Sequence, residues 1–138
     1  MEIWMVSYKT QMMPYKGDIK KIIIYNMKVT YFTNNPLTFK YTDDELEIAI
    51  NGIIEQIEDD TFFFDALCDT LMMKAQNEDK IDNAPNTVYL SNNLDAKEYE
   101  RVSIILWKKI WAHELCLNFH SNEPNFNNYS FIILKRNE

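Results

Sequence analysis

Thr42–Asn77 reads TDDELEIAINGIIEQIEDDTFFFDALCDTLMMKAQN, and its apolar residues recur with a helical period. Thr42-Asp43-Asp44-Glu45 is a capping box, in which the Thr hydroxyl accepts from a first-turn amide and the Glu carboxylate reaches back to the cap. Leu46, Ala49, Ile50, Ile53 and Ile57 then form one stripe, with Ile54 on its flank. A second pattern, Phe64, Leu67, Cys68, Leu71 and Ala75, continues in phase with the first. One bent helix would satisfy both, but ordinary helix lengths favour two helices broken at Glu58–Thr61. Phe62, Phe63 and Phe64 cannot all enter one core from a helix, because consecutive residues diverge by about 100°. A second helix sandwiched between a sheet and a later helix accounts for them, and for Met72 and Met73, better than an exposed patch does.

Upstream, the period shortens to two. Glu2–Lys9 and Ile19–Thr33 read as strands separated by a turn at Pro14, Gly17 and Asp18, the longer one bending near Asn26. Asn34-Asn35-Pro36 turns the chain, and Leu37, Phe39 and Tyr41 alternate with Thr38 and Lys40 on a returning strand. Downstream, a loop over Asn77–Asn86 leads to a short strand over Thr87–Ser91. Asp95-Ala96-Lys97-Glu98 is a second capping-box pattern and opens a helix that runs to about Phe119 and is apolar around most of its circumference. A loop over Ser121–Asn128 and a strand over Tyr129–Leu134 follow. The expectation is one α+β domain over residues 1–138: an antiparallel sheet of about five strands, an N-terminal β-meander plus two later ones, packed with two to three helices.

Composition narrows the function classes. An apolar share of 46% and a charged share of 25% in 138 residues describe a globular chain rather than a disordered tail. No apolar run approaches the roughly 20 residues of a membrane helix, no signal peptide opens the chain, and two cysteines make no disulfide framework. A cytoplasmic protein is expected. With glycine only at positions 17 and 52, the phosphate-cradling loops and nucleophile elbows that require glycine are absent. Abundant Asn, Ile and Lys reflect AT-rich codons and suggest a low-GC bacterium, its phage or a virus.

Charge is distributed unevenly. Residues 1–42 sum to +4, residues 43–79 to −11 and residues 80–138 to zero. Glu47, Glu55, Glu58, Asp59, Asp65 and Asp69 fall opposite the apolar stripe of the helical region. Solvated faces ordinarily interleave Lys with such acids, whereas residues 43–79 hold only Lys74. Facing away from the core, these carboxylates suit neither catalysis nor Mg²⁺ binding in a cleft. They suit a basic partner, and they oppose direct binding to nucleic acid.

A second constellation uses the chain's only two histidines. On a helix continuing to Phe119, His113, Cys116 and His120 stand at i, i+3 and i+7 on one face. With Cys68 they could hold zinc, or the thiol and imidazole could form a nucleophile pair. A buried apolar Cys116 with flanking histidines on a wetter strip is the plainer account.

The sequence therefore predicts a non-catalytic, cofactor-free acidic protein that occupies a partner's basic, nucleic-acid-binding surface. Nucleases and nucleic-acid-binding effectors fit as partners. Immunity proteins, antitoxins and phage anti-defence inhibitors such as anti-CRISPRs share this profile. The expected contact residues are Glu47, Glu55, Glu58, Asp59, Asp65 and Asp69, with Phe62 beside them. A small metal or Cys/His enzyme centred on His113, Cys116 and His120 is the alternative. A homo-oligomer joined through the apolar last helix is the further possibility.

Overall fold

The structure, a computed structural model, describes residues 28–30, 35–82, 84, 87–118 and 129–134. Three helices and five short strands occupy them: β1 (Lys28–Thr30), α1 (Asp43–Gln56), β2 (Thr61–Phe63), α2 (Phe64–Asn77), β3 (Thr87–Tyr89), α3 (Ala96–Trp111), β4 (Leu115–Leu117) and β5 (Ser130–Ile133). The architecture is α+β. The expected strands at Glu2–Lys9 and over most of Ile19–Thr33 lie outside the described residues.

The strands do not form one antiparallel sheet of five. β2, β5 and β4 make a three-stranded antiparallel sheet with β5 at its centre, and β1 pairs with β3 in parallel. Gln76 supplies one reason for the separation. Its side-chain amide donates to the Tyr89 carbonyl and accepts from the Tyr89 amide, both at 2.8 Å. A residue's N–H and C=O point to the same side of a strand, so Gln76 takes the place on that edge of β3 that a further strand would need. The expected returning strand at Leu37–Tyr41 is also corrected. Leu37, Phe39 and Tyr41 are buried and Thr38 and Lys40 exposed, as their alternation predicts. Yet Leu37 bridges to Leu94 in parallel and Phe39 to Ile81 in antiparallel fashion, so the segment threads between two loops and is not part of a meander.

Helix α1 begins as its capping box predicts. The Glu45 amide donates to Thr42 Oγ1 at 3.1 Å and the Thr42 amide to Glu45 Oε1 at 2.9 Å. Leu46, Ala49, Ile50 and Ile53 then enter the core; burying each Leu or Ile contributes about 1.5–3 kcal/mol. The chain does break after α1, but a strand fills the break. Phe62 points inward and stacks on Phe131 at 5.3 Å between ring centroids, Phe63 points outward, and Phe64 opens α2 facing the core. Two-fold alternation thus accommodates three consecutive rings where a helix could not. α2 is the buried helix expected: Leu67, Cys68, Leu71, Met72, Met73 and Ala75 have no accessible surface.

Helices α2 and α3 end alike, in Schellman motifs. Past α2, the Lys80 amide reaches the Ala75 carbonyl at 2.7 Å and that of Asp79 reaches Gln76. Past α3, the Glu114 amide reaches Lys109 at 2.9 Å and that of His113 reaches Ile110. The left-handed residue is Asp79 (φ 59°) in one and His113 (φ 62°) in the other. Asp and His are among the non-glycine residues that visit this region most readily. α3 therefore stops at Trp111, not near Phe119. Nor is it apolar all round: Val102, Ile105 and Leu106 are buried, while Ile104, Trp107 and Trp111 face outward. Its first turn is tied to α1 by Arg101, which donates to Glu98 Oε1 (2.7 Å), Asp43 Oδ1 (3.0 Å) and the Tyr41 carbonyl (2.7 Å). Glu98 is thus not a capping-box partner of Asp95 but a buried acid neutralised by Arg101.

Candidate functional site

The acidic residues fall into three settings. On α1, Asp44, Ile48, Gly52 and Glu55 follow one another at i, i+4, i+8 and i+11, a nearly straight strip opposite the buried stripe. Ile48 is 70% exposed at its middle. A Cβ at Gly52 would meet no atom within 4 Å, so the backbone there lies open. Glu47 stands on the flank of the strip, half-buried. Asp43, Asp44 and Glu45 crowd the first turn, where the helix dipole favours negative charge. The Thr42 amide holds the Glu45 carboxyl below its ordinary range. Arg101 meets Asp43 and Lys80 meets Glu45, but among the described residues Asp44, Glu47 and Glu55 make no ion pair.

In the connection to β2, Glu58 and Asp59 are exposed, and each has partners of its own. The chain leaves helical geometry here, so these acids do not continue the α1 strip in register.

On α2 the acids are drawn into the body of the protein. Asn92, in the loop after β3, donates its backbone amide to Asp69 Oδ1 at 2.8 Å. Its side-chain amide donates to Asp69 Oδ1 at 2.6 Å and to Asp65 Oδ1 at 3.0 Å. The Tyr99 hydroxyl donates in turn to Asn92 Oδ1 and accepts from the Leu94 amide. Burial pushes the Asp69 carboxyl up, against the pull of the two Asn92 donors. Asp65 and Asp69 are therefore struts that dock a loop as well as surface charges. Phe62, expected beside the acids, is 5% exposed and belongs to the core; Phe63, 42% exposed, is the ring at the surface.

The His/Cys constellation loses its geometric premise. With α3 ending at Trp111, His113 lies in the left-handed turn and Cys116 in β4, so the shared helical face does not exist. His120 lies outside the described residues. Cys68 is fully buried, and burial, with Asp65 and Asp69 adding to it, raises its thiol well above the ordinary value, the reverse of what activates a nucleophile. Among the described residues no three His, Cys, Asp or Glu side chains converge as metal ligands would.

Two clefts flank these features. One, of about 390 Å³, lies beside α1 and is lined by Asn51, Glu55, the Lys109–Glu114 pair, Leu115 and Ile133. The other, of about 500 Å³ and mostly apolar, lies between α3 and the antiparallel sheet, with Tyr99, Glu100, Trp107 and Tyr129 on its walls. No helix among the described residues is long and apolar enough to cross a membrane. No family model matches the chain, and no curated protein or solved structure matches it either.

Sequence reasoning missed Ile48 and Gly52 as surface features, and Asn92 altogether. Ile48 was legible in principle, since it sits opposite the stripe of its own helix. Asn92 had no local signal, because its partners lie 23 and 27 positions away.

Proposed function

We propose that the chain is a non-catalytic binding protein that occupies the basic, nucleic-acid-binding surface of a partner protein. The outer face of α1 makes the contact, with Glu47 and Glu55 as its charges and Glu58 and Asp59 extending it beyond the helix. The observation that supports this most is the α1 strip itself. It joins carboxylates with no ion pair among the described residues to an exposed isoleucine and an open glycine backbone. Exposed apolar surface ringed by charge of one sign is what a charge-steered interface requires. Jobs of this physical kind include immunity to a nuclease, antitoxin activity and inhibition of a nucleic-acid-directed defence system.

Capture from host lysate with the wild-type chain and with E47K/E55K tests the proposal. The wild type is expected to retain a basic nucleic-acid-binding protein and to displace nucleic acid from it, with an association rate that falls as salt rises. The variant is expected to do neither. Equal capture and displacement by both chains would overturn the proposal.

A further inference from the structure

The outward strip of α3 is divided lengthwise. At about 100° per residue, the exposed Lys97 and Lys108 fall within about 40° on one side of Ile104, and Glu100, Trp107 and Trp111 within about 60° on the other. Ile104 is 50% exposed, Trp107 53% and Trp111 80%. An indole carries about 150–250 Å², so these three side chains leave roughly 300–400 Å² of apolar surface facing water. That is about the size of the largest apolar patch on a typical soluble monomer, and such patches are often functional. Glu100, Ile104, Trp107 and Trp111 are spaced four, three and four residues apart, the spacing of a helix–helix seam.

We infer that this strip binds a second copy of the chain, with the two α3 helices side by side and parallel about a two-fold axis. The choice of partner and direction follows from charge. A two-fold axis parallel to the helices lays the cationic side of each strip against the aromatic and acidic side of the other. Lys108 then lies over the indoles of the other copy, a cation–π contact, and Glu100 comes within reach of the other copy's Lys97. An antiparallel pair would instead set Lys97 and Lys108 against the lysines of the other copy. Ile104 meets itself at the centre. The apolar strip covers about half of the roughly 800 Å² per partner of a standard interface; the stems of Lys97 and Lys108 and the rim of the neighbouring cleft extend it. This association is independent of the α1 face, so either proposal can fail without the other.

Sedimentation velocity from micromolar to millimolar concentration is expected to show a concentration-dependent dimer. I104E should abolish it and W111A should weaken it about tenfold or more, with circular dichroism confirming that both variants remain folded. Direction is read by disulfide trapping in a C116S background. Parallel helices place Lys97 beside its own counterpart, so K97C alone should give a covalent dimer. A monomer throughout the concentration range would overturn the inference. So would a K97C protein that cross-links only when mixed with W111C, which is the signature of antiparallel helices.

Discussion

Helices α1 and α2 are of equal length and both bring acids to the surface, five on α1 and two on α2, and the structure uses them in opposite ways. On α1, Asp44 and Glu55 face outward with the half-buried Glu47 on their flank, and none of the three makes an ion pair among the described residues. On α2, Asp65 and Asp69 are met by Asn92 and hold the loop that connects β3 to α3. Residue type does not separate the two sets. What separates them is whether another segment delivers donors to them. A carboxylate that receives donors from a distant loop is a structural member, and its loss is read in stability. One that receives none is read in binding.

The contrast can be broken most sharply at its hinge. Asn92→Ala removes the side-chain amide that Asp65 and Asp69 share and the acceptor of Tyr99 together, leaving only the backbone amide of residue 92 on Asp69. A destabilisation of about 1–3 kcal/mol is expected in urea denaturation, because the partly buried Asp69 carboxylate and Tyr99 hydroxyl each lose a hydrogen-bond partner. A loss below about 0.5 kcal/mol would place Asp69 with the surface acids instead.

Asp69→Asn is a milder and more informative change. Because Asp69 titrates above the ordinary aspartate value in the folded protein, the native state holds its proton more tightly than the unfolded chain does. The group's stabilisation is therefore fully present below the ordinary value and is lost as pH rises through the elevated one. The Asn variant keeps the acceptor oxygen and removes the charge. It should match wild type in acid and exceed it near neutrality by about 1 kcal/mol. A difference that stays constant between acid and neutral pH would show that burial of the charge is not what matters.

Gly52→Ala tests the other helix. Alanine is favoured over glycine within a helix, and nothing obstructs its Cβ here. Thermal denaturation should show a gain of about 0.5–1 kcal/mol. A partner-binding loss accompanying that gain would mean that the open backbone is part of the contact. Smallest of all is the expected effect of E47K/E55K on folding, within about 0.5 kcal/mol of wild type by urea denaturation. A larger loss would show that α1 too depends on its acids.

How far the sequence could be read depended on the range of the interactions. The start of α1 was legible because Thr42 and Glu45 are three residues apart and their chemistry is local. The inward set Leu37, Phe39 and Tyr41 was legible from its period, although the segments it pairs with were not. The end of α3 was hidden because the chain places His113 where glycine usually stands, whereas α2 stops at Asn77, where its loop was expected. That concealment prolonged the last helix by about two turns and created a His/Cys face that the fold does not possess. Asp65 and Asp69 were placed on the surface correctly in part, but Asn92 could not be connected to them from spacing alone.

The amide of Gln76 has a consequence beyond holding β3 in place. Open strand edges are templates onto which another chain can add, the first step towards fibrous aggregates. By meeting both backbone groups of Tyr89 with a side chain, the protein plugs such a template at a residue that is itself only 8% exposed. Loss of that plug, as in Gln76→Ala, would leave two backbone groups seeking partners and open a route to irreversible polymerisation by strand addition.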